Sequence, residues 1–536
     1  MRAQGMMWDI RHDSELWSAR SRKFGRVQLA PKSPILEIPQ IRFSYSAIAA
    51  RYGARSAEFI HAFAAILAVD TLIPKLYLFD LSIFTIQRPS RRAQLSNRLT
   101  ADTITPSAWR SNVQTISIKI APSQVRPIER RVYRQASPTE LIYISTGTTV
   151  VSRSRIAGAV RMEQFEAAVA HLETRHEILR AIVVNEQFVA RSDETSSVEA
   201  WLSSETSSAE AIYAKLLNSK LDTSRRLYSI HVIAADDALD VFMLSSHAVT
   251  DATSLIELHS GLAGMCDCVV REKDPVLDRQ PFPSPVDPAI RDALTSLSPH
   301  RINRHPRCYT GEFAQIPMRS QSDERPATHR LTRVMIGADD VRRISIAGHL
   351  HGSSVHSLLL AAFGIAIREV AQGRPHQILM RSNVDLRRRL NPHVSTETIF
   401  SAITAHITLI PDLDRPLFEI ARNIFDDIHQ GAADGSIFRE YLNYPTSFGS
   451  PQQDPIALNV SDMQNVEFHW PTQRLKVTGF EYALGWMKKF PNVSVAIYEG
   501  TLIANIVYVE EFAAPETVQA IAETFVQVLL AACRVD

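Results

Sequence analysis

The chain has 536 residues, of which 45% are hydrophobic, and its length corresponds to roughly three or four domains' worth of chain. Its 58 Lys and Arg residues and 57 Asp and Glu residues leave a net charge of +1, so bulk charge gives no reason to bind nucleic acid or an anionic membrane. Four cysteines are too few for a disulfide framework. We therefore expect a globular protein of the reducing cytoplasm, with peripheral membrane attachment as an alternative.

Residues 1–125 differ from the rest of the chain. They contain basic patches and scattered prolines without a sustained hydrophobic period. Their most apolar segment, FIHAFAAILAV at 59–69, is too short to span a bilayer. The first forty residues lack the apolar region and cleavage site of a secretory signal. Three interpretations stay open: an additional module, a flexible leader, or translation from a start codon assigned too early.

Regular structure is expected from Ser137 onwards. In the run SPTE at 137–140, Ser137 can cap a helix, Pro138 suits the first helical position, and Glu140 can reach back to the cap. A short strand is predicted at 148–152, where β-branched residues cluster.

The next segments alternate between helix and strand signals. Residues 162–184 are read as a helix, with Val169 and Leu172 on one face, that runs into the strand AIVV. Strands are predicted at 228–235 and 240–244. The second of these, DVFML, is a continuous apolar run, which is typical of a strand covered on both faces.

Residues 281–330 are rich in prolines and charges and are interpreted as a linker or crossover between two halves. Beyond this segment the patterns predict a helix at 354–370, a strand at 376–386, two strands within 491–512 joined by Glu499-Gly500, and a terminal helix at 515–532. The expected organisation is an extension at 1–125, a first subdomain at 126–280, the linker at 281–330, and a second subdomain at 331–536.

The run FMLSSHAVTDATSL at 242–255 places His247 where a buried strand ends and Asp251 where a helix begins. A histidine within hydrogen-bond reach of a nucleophile can take its proton as it attacks a thioester carbonyl. A buried Asp251 would need a cationic partner, and Arg180 and Arg387 are the candidates. The alternative is a strand-end histidine whose hydrogen bonds are satisfied and an aspartate that only caps the helix.

The remaining motifs point to no other chemistry. His349 and His351 lack a third ligand at a suitable spacing, so no metal site is expected there. The sequence contains neither a nucleophile elbow nor a glycine-rich phosphate loop.

The region from about 128 to 536 resembles the CoA-dependent acyltransferase superfamily, which includes chloramphenicol acetyltransferase, nonribosomal peptide synthetase condensation domains and phthiocerol dimycocerosyl transferase. RHEILRA at 175–181 is close to the condensation-type motif RHxxLR. SSHAVTDATS at 245–254 falls at the place of the family's HHxxxDG, and NVDLRRRL at 383–390 resembles its Asp-Leu-Arg segment.

The resemblance implies an α/β (α+β) fold of two chloramphenicol-acetyltransferase-like subdomains, each a mixed sheet with covering helices, around a central channel. It implies that His247 is the general base of the HxxxD motif and that Asp251 has a structural role. The chain departs from the motif at Ser246, where the first histidine usually stands, and at Ala252, where the glycine usually stands.

A second departure lies in NVSDMQN at 459–465, which has Asp462 and Gln464 where the family's Ser-Asn-x-Gly segment has asparagine and glycine. Glycine is suited to a positive φ or to close backbone approach, so the shape of the donor side is expected to differ here.

The activity implied by the resemblance is transfer of an acyl group from a thioester to a hydroxyl-bearing acceptor, in polyketide or lipid biosynthesis. The donor would be acyl-CoA or a phosphopantetheinyl carrier protein of a polyketide synthase, used as a co-substrate with no bound cofactor. Lipids are among the candidate acceptors, nucleic acid is not, and the protein would act as a monomer. Two alternatives stay open: an amide-forming condensation enzyme, and a catalytically degenerate binding homologue.

Overall fold

The computed structural model describes residues 131–533, apart from 193–196, 203–207, 236, 298–308, 320–326, 448–454 and 486–489, together with two short N-terminal strands. The chain divides into two compact units, Met1–Arg126 and Pro127–Asp536. In the first unit, β1 (Thr85–Gln87) pairs antiparallel with β2 (Val113–Thr115). The apolar segment at 59–69 lies outside the described residues, and the interpretation of 1–125 as an extension stays a prediction.

The first part of the second unit alternates strands and helices. Its strands are β3 (Val132–Gln135), β4 (Thr149–Ala157), β5 (Ala181–Val184), β6 (Gln187–Ala190), β7 (Val198–Leu202), β8 (Tyr228–Ala235) and β9 (Ala238–Ser246). Its helices are α1 (Pro138–Thr146), α2 (Met162–Arg175), α3 (Ala209–Leu217), α4 (Ala252–Val270) and α5 (Asp287–Ser296).

The remaining part contains seven further strands and five further helices among the described residues. The strands are β10 (His329–Ile336), β11 (Ile378–Asp385), β12 (Ile403–Ile410), β13 (Ile456–Asn465), β14 (Lys476–Leu484), β15 (Asn492–Tyr498) and β16 (Thr501–Val509). The helices are α6 (Ala338–Leu350), α7 (Val355–Val370), α8 (Leu417–Ala433), α9 (Ser436–Ser447) and α10 (Pro515–Ala532).

Two large sheets organise the second unit. One has the strand order β14-β4-β9-β8-β7, and the other has the order β10-β16-β15-β13-β11-β12. Strand β14 comes from the later part of the chain, yet it pairs antiparallel with β4, from Lys476 opposite Ala157 to Leu484 opposite Val150. Strand β14 lies within the expected second subdomain, 331–536, but it belongs to the sheet of the expected first subdomain, 126–280. The two halves of the chain therefore share this sheet.

Local sequence signals set several of these elements. Ser137 caps α1 through a complete capping box with Glu140, as predicted. The hairpin of β15 and β16 turns at Glu499 and Gly500, whose φ values are 46° and 81°. Every residue of β9 is buried, which confirms the prediction of a strand covered on both faces.

Two expected segments differ in the structure. The helix expected over 162–184 ends at Arg175, because His176 is extended (φ −114°, ψ 102°) and a 3-10 turn at Glu177–Arg180 then leads into β5. The linker expected at 281–330 contains α5, whose Ile290 is fully buried in a small core with Phe438 and Tyr441 of α9.

Among the described residues no single helix is long and apolar enough to cross a bilayer, although the bent pair of α6 and α7 has a sufficient length and composition when both helices are taken together. Most of α7 is buried in the core of the six-stranded sheet.

Candidate active site

His247 lies in the corner between the end of β9 and the start of α4, and it is buried. Its Nδ1 atom is 2.7 Å from the carbonyl oxygen of Thr250. A carbonyl oxygen can only accept a hydrogen bond, so Nδ1 carries the proton and the lone pair of the neutral imidazole is on Nε2. Tyr143 of α1 stacks on the ring at a centroid distance of 4.5 Å and holds its orientation.

Two cavities adjoin His247, and both are partly open to solvent; together with that open part they hold about 530 and 520 Å³ of empty space. We name the first the tyrosine cavity, because Tyr143, Tyr441 and Tyr444 line it. We name the second the aspartate cavity, because Asp385 and Asp462 line it. Both cavities share the lining residues His247, Asn383, Ile403 and Leu484. The imidazole therefore stands where two separate molecules could meet.

The surroundings favour the neutral form of His247. Burial lowers the pKa of the imidazole below its ordinary value of 6.5, because the protonated ring would lose its hydration. The hydrogen bond to Thr250 and the charge of Asp251 act in the opposite direction but do not outweigh burial. The side chain is thus a free base at neutral pH, which is the form that can accept a proton.

Asp251 is the N-cap of α4, where its Oδ1 atom accepts a hydrogen bond from the Ser254 N–H at 2.9 Å. It also forms a bidentate ion pair with Arg387, whose Nη1 and Nη2 atoms lie 2.6 and 3.0 Å from Oδ2 and Oδ1. The Ala402 N–H donates to Oδ2 at 2.9 Å. Burial raises the pKa of Asp251, but Arg387 and these N–H groups outweigh it and hold the pKa below its ordinary value.

Arg387 is as deeply buried as its partner. Its Nη2 atom donates to the Phe400 carbonyl at 2.8 Å and to the Ser254 hydroxyl at 3.0 Å, and its guanidinium lies 4.7 Å from the centre of the Phe400 ring. The structure thus brings Asp251 and Arg387 together, as the sequence suggested. Arg180, the other candidate, is exposed at the end of the 3-10 turn and is not among the partners of Asp251.

Ser246 and Ala252, the two departures from the family's HHxxxDG motif, have different surroundings in the structure. Ser246 is buried at the end of β9, where its carbonyl oxygen accepts a hydrogen bond from the Thr250 hydroxyl at 3.0 Å, and it lines neither cavity. Ala252 is the first residue of α4, so this position needs no positive φ. Its side chain lines the aspartate cavity. Alanine at this position occupies space at the edge of the aspartate cavity, and the backbone is not strained.

The second departure does involve the backbone. Gln464 has a φ of 52°, in the left-handed region that glycine adopts most easily, and it lies at an irregularity in the pairing of β13 with β15. The neighbouring Asp462 lines the aspartate cavity, and its side chain is only 1% exposed.

Sequence reasoning missed three residues of the site. Tyr143 lies on the predicted opening helix, but stacking on His247 depends on tertiary contact. Arg381 and Asn383 lie on β11 and line the cavities. A charged residue inside the apolar run ILMRSNV was a signal for Arg381, since an arginine in a buried strand requires a reason.

The second half of the chain is similar in sequence to a known family, and most of the chain is similar in fold to solved structures. Residues 325–513 match the family described as phthiocerol/phthiodiolone dimycocerosyl transferase C-terminus. The solved structure of polyketide synthase associated protein 5 from Mycobacterium tuberculosis is 17% identical, with a TM-score of 0.57, and the match covers 75% of this chain and 99% of that one. A comparison with curated protein sequences gives no match.

Two other solved structures are similar over the same extent. The epimerization domain of the third module of tyrocidine synthetase B is 14% identical, with a TM-score of 0.58, over 76% of this chain and 97% of that chain. Trichothecene 15-O-acetyltransferase from Fusarium sporotrichioides is 12% identical, with a TM-score of 0.57, over 75% and 95%.

The chain has the fold of the CoA-dependent acyltransferase superfamily. The expected α/β fold with two sheet-and-helix subdomains is thereby confirmed. Within this acyltransferase fold, the corner that holds His247 belongs to the first sheet, and the arginine that holds the corner comes from the segment after β11. The candidate site therefore needs both halves of the chain.

Proposed function

We propose that this protein transfers an acyl group from a thioester to a hydroxyl group, with His247 as the general base. The proposal rests on one observation above all. The Nδ1 proton of His247 is committed to the Thr250 carbonyl at 2.7 Å, and the same imidazole lines two cavities. A neutral base between two binding spaces suits a reaction between two substrates.

In the proposed reaction, Nε2 of His247 takes the proton of the acceptor hydroxyl as its oxygen attacks the thioester carbonyl. The tetrahedral intermediate then collapses, the C–S bond breaks, and the imidazolium returns the proton to the leaving thiolate. The products are an ester and a free thiol, and no covalent enzyme intermediate is needed. Asn383 lines both cavities, so its side-chain amide is the candidate donor to the oxyanion.

The comparisons support acyl transfer as the class of reaction. The matching family is named for a mycocerosyl transferase, and one structural neighbour is named as an O-acetyltransferase. Transfer to oxygen is therefore the first choice over transfer to nitrogen. The donor we propose is acyl-CoA or a carrier-protein thioester, and the acceptor a hydroxyl compound, with lipids included, used by a monomeric cytoplasmic protein.

The test uses a matched pair of histidine substitutions. His247→Asn keeps a side-chain N–H that can donate to the Thr250 carbonyl but removes the base at Nε2. His429→Asn is the control, because His429 also places Nδ1 2.8 Å from a backbone carbonyl, that of Phe425, but on the exposed side of α8. Purified proteins are incubated with a panel of acyl-CoA and acyl-carrier donors and of hydroxyl and amine acceptors, and products are identified by mass spectrometry.

We expect ester products with wild type and His429→Asn, and a loss on the order of 10²–10⁴-fold with His247→Asn, the range for removal of a general base. Equal turnover by His247→Asn would contradict the role of His247. Amide products alone would instead favour a condensation enzyme. A folded wild-type protein that makes no product from any donor would favour a binding homologue.

A further inference from the structure

Three arginines are buried among the described residues of the second unit: Arg175, Arg381 and Arg387. Two of them have carboxylate partners. Arg175 Nη2 lies 2.7 Å from Oε2 of Glu397, and Arg387 holds Asp251. Arg381 is different, since no carboxylate oxygen of a described residue lies within 4 Å of its guanidinium. Among the residues that the structure describes, this buried positive charge therefore has no direct counter-ion.

The charge of Arg381 faces the space beside His247. It lies on β11 and lines the tyrosine cavity together with His247. Its guanidinium is 5.5 Å from the ring centre of Tyr444, and its Nε atom is buried with no hydrogen-bond partner. A guanidinium keeps its proton inside proteins, so its burial cost cannot be relieved by neutralisation. A buried charge of this kind is stabilised by a partner of opposite charge.

Glu440 is the acidic residue that lines the same cavity. Its carboxylate is not within ion-pair distance of Arg381, and burial raises its pKa, although Arg381 acts in the opposite direction. An ionised Glu440 would repel any anion that approached Arg381. The two side chains therefore have opposite effects on an anionic ligand, and this makes them separable by substitution.

We infer that Arg381 binds a carboxylate group of the substrate that enters the tyrosine cavity. The guanidinium offers parallel N–H groups that match the two oxygens of a carboxylate. Tyr143, Tyr441 and Tyr444 supply aromatic walls for the rest of the molecule. The identification of this molecule as a substrate rests on the proposed acyl transfer. The binding of a carboxylate by Arg381 does not depend on that proposal. The carboxylate could belong to a hydroxy-acid acceptor or to the free end of a dicarboxylic acyl chain.

Binding is measured by isothermal titration calorimetry on the full-length protein, so that no turnover is needed. One pair of probes is 4-hydroxyphenylacetate and its neutral amide, which stand for an acceptor. The other pair is monomethyl glutarate and its neutral amide, which stand for an acyl chain. The variants are Arg381→Gln, Arg381→Lys, Glu440→Gln and, as a control, Arg388→Gln, which removes an exposed arginine from the turn after β11. Circular dichroism checks that each variant is folded.

We expect wild type to bind the carboxylate of at least one pair about tenfold or more tightly than its amide, the effect of one charge-assisted contact. Arg381→Gln should remove this preference, Arg381→Lys should keep part of it, Glu440→Gln should increase it, and Arg388→Gln should leave it unchanged. The pair that shows the preference identifies the source of the carboxylate.

Two results would overturn the inference. One is equal or absent binding of both carboxylates and both amides by wild type. The other is a preference that survives in folded Arg381→Gln. Carboxylate binding by a protein that transfers no acyl group would uphold the inference and contradict the proposed function, so the two failures are distinguishable.

Discussion

Arg387 and Asp251 are 136 residues apart in the sequence, yet they form a buried bidentate ion pair with N–O distances of 2.6 and 3.0 Å. Asp251 begins helix α4 of the first half, and Arg387 follows strand β11 of the second half. The pair therefore fixes the corner that carries His247 against the opposite half of the site. Its geometry makes it a positioning element, since neither side chain lines the tyrosine cavity.

Substitution of either Asp251 or Arg387 alone should therefore lower the stability of the folded protein. We expect Asp251→Asn or Arg387→Met to lower the free energy of unfolding by about 3–5 kcal/mol, because each leaves an uncompensated buried group. The double variant should cost clearly less than the sum of the single ones. Urea unfolding of all four proteins gives this double-mutant cycle. Additive costs would mean that the two residues do not act as a pair.

The pH dependence of activity should reflect the buried His247. Because burial lowers its pKa, the acidic limb of kcat/KM for wild type is expected to have its midpoint below the ordinary value of 6.5. The measurement is the initial rate of product formation at subsaturating substrate from pH 4.5 to 9. A midpoint above 6.5 would indicate that another group controls the rate.

Gln464 offers a test of backbone strain. Gln464→Gly should raise the free energy of unfolding by about 0.5–1 kcal/mol, since relief of a left-handed conformation exceeds the entropy cost of glycine. Asn465→Gly is the matched control, because this exposed neighbour is paired with Ile497 and has no positive φ. The control should lose stability. Equal losses in both variants would show that the φ at Gln464 carries no strain.

The stability of the folded protein should decrease at acidic pH, in part because of His259. This buried ring lies 2.8 and 2.7 Å from the hydroxyls of Ser152 and Ser154, and burial lowers its pKa to about 3. The folded state thus holds the neutral ring where the unfolded state, with a pKa near 6.5, binds a proton. The stabilisation is complete above pH 6.5 and falls by about 2 kcal/mol between pH 7 and pH 5.

The measurement is urea unfolding of wild type and His259→Gln at both pH values. His259→Gln should be less stable at pH 7 but should lose about 2 kcal/mol less than wild type on acidification. His176, whose pKa is also lowered to about 3 by burial and by Arg175, contributes in the same direction in both proteins and therefore cancels in the comparison. An identical pH dependence would mean that the pKa of His259 is the same in the folded and unfolded states.

Most helices, strands and turns could be predicted from the sequence, because adjacent residues determine them. The capping box at Ser137 and Glu140, the turn at Glu499-Gly500 and the apolar run of β9 each depend on a few adjacent residues. The end of α2 at Arg175 was not readable, because RHEILR carries a good helical pattern and the extended His176 is held by pairing with Gln280, far along the chain.

The sequence by itself determined that His247 ends a buried strand, that Asp251 begins a helix, and that a buried Asp251 needs an arginine. Only the tertiary structure decided that this arginine is Arg387 and not Arg180, and that Nδ1 of His247 donates to the Thr250 carbonyl. It alone also showed that Arg381 has no carboxylate partner in the described part of the chain. Strand and helix signals arise within a few residues along the chain. Ion pairs, proton positions and cavities arise where distant segments meet, and no local pattern encodes those distances.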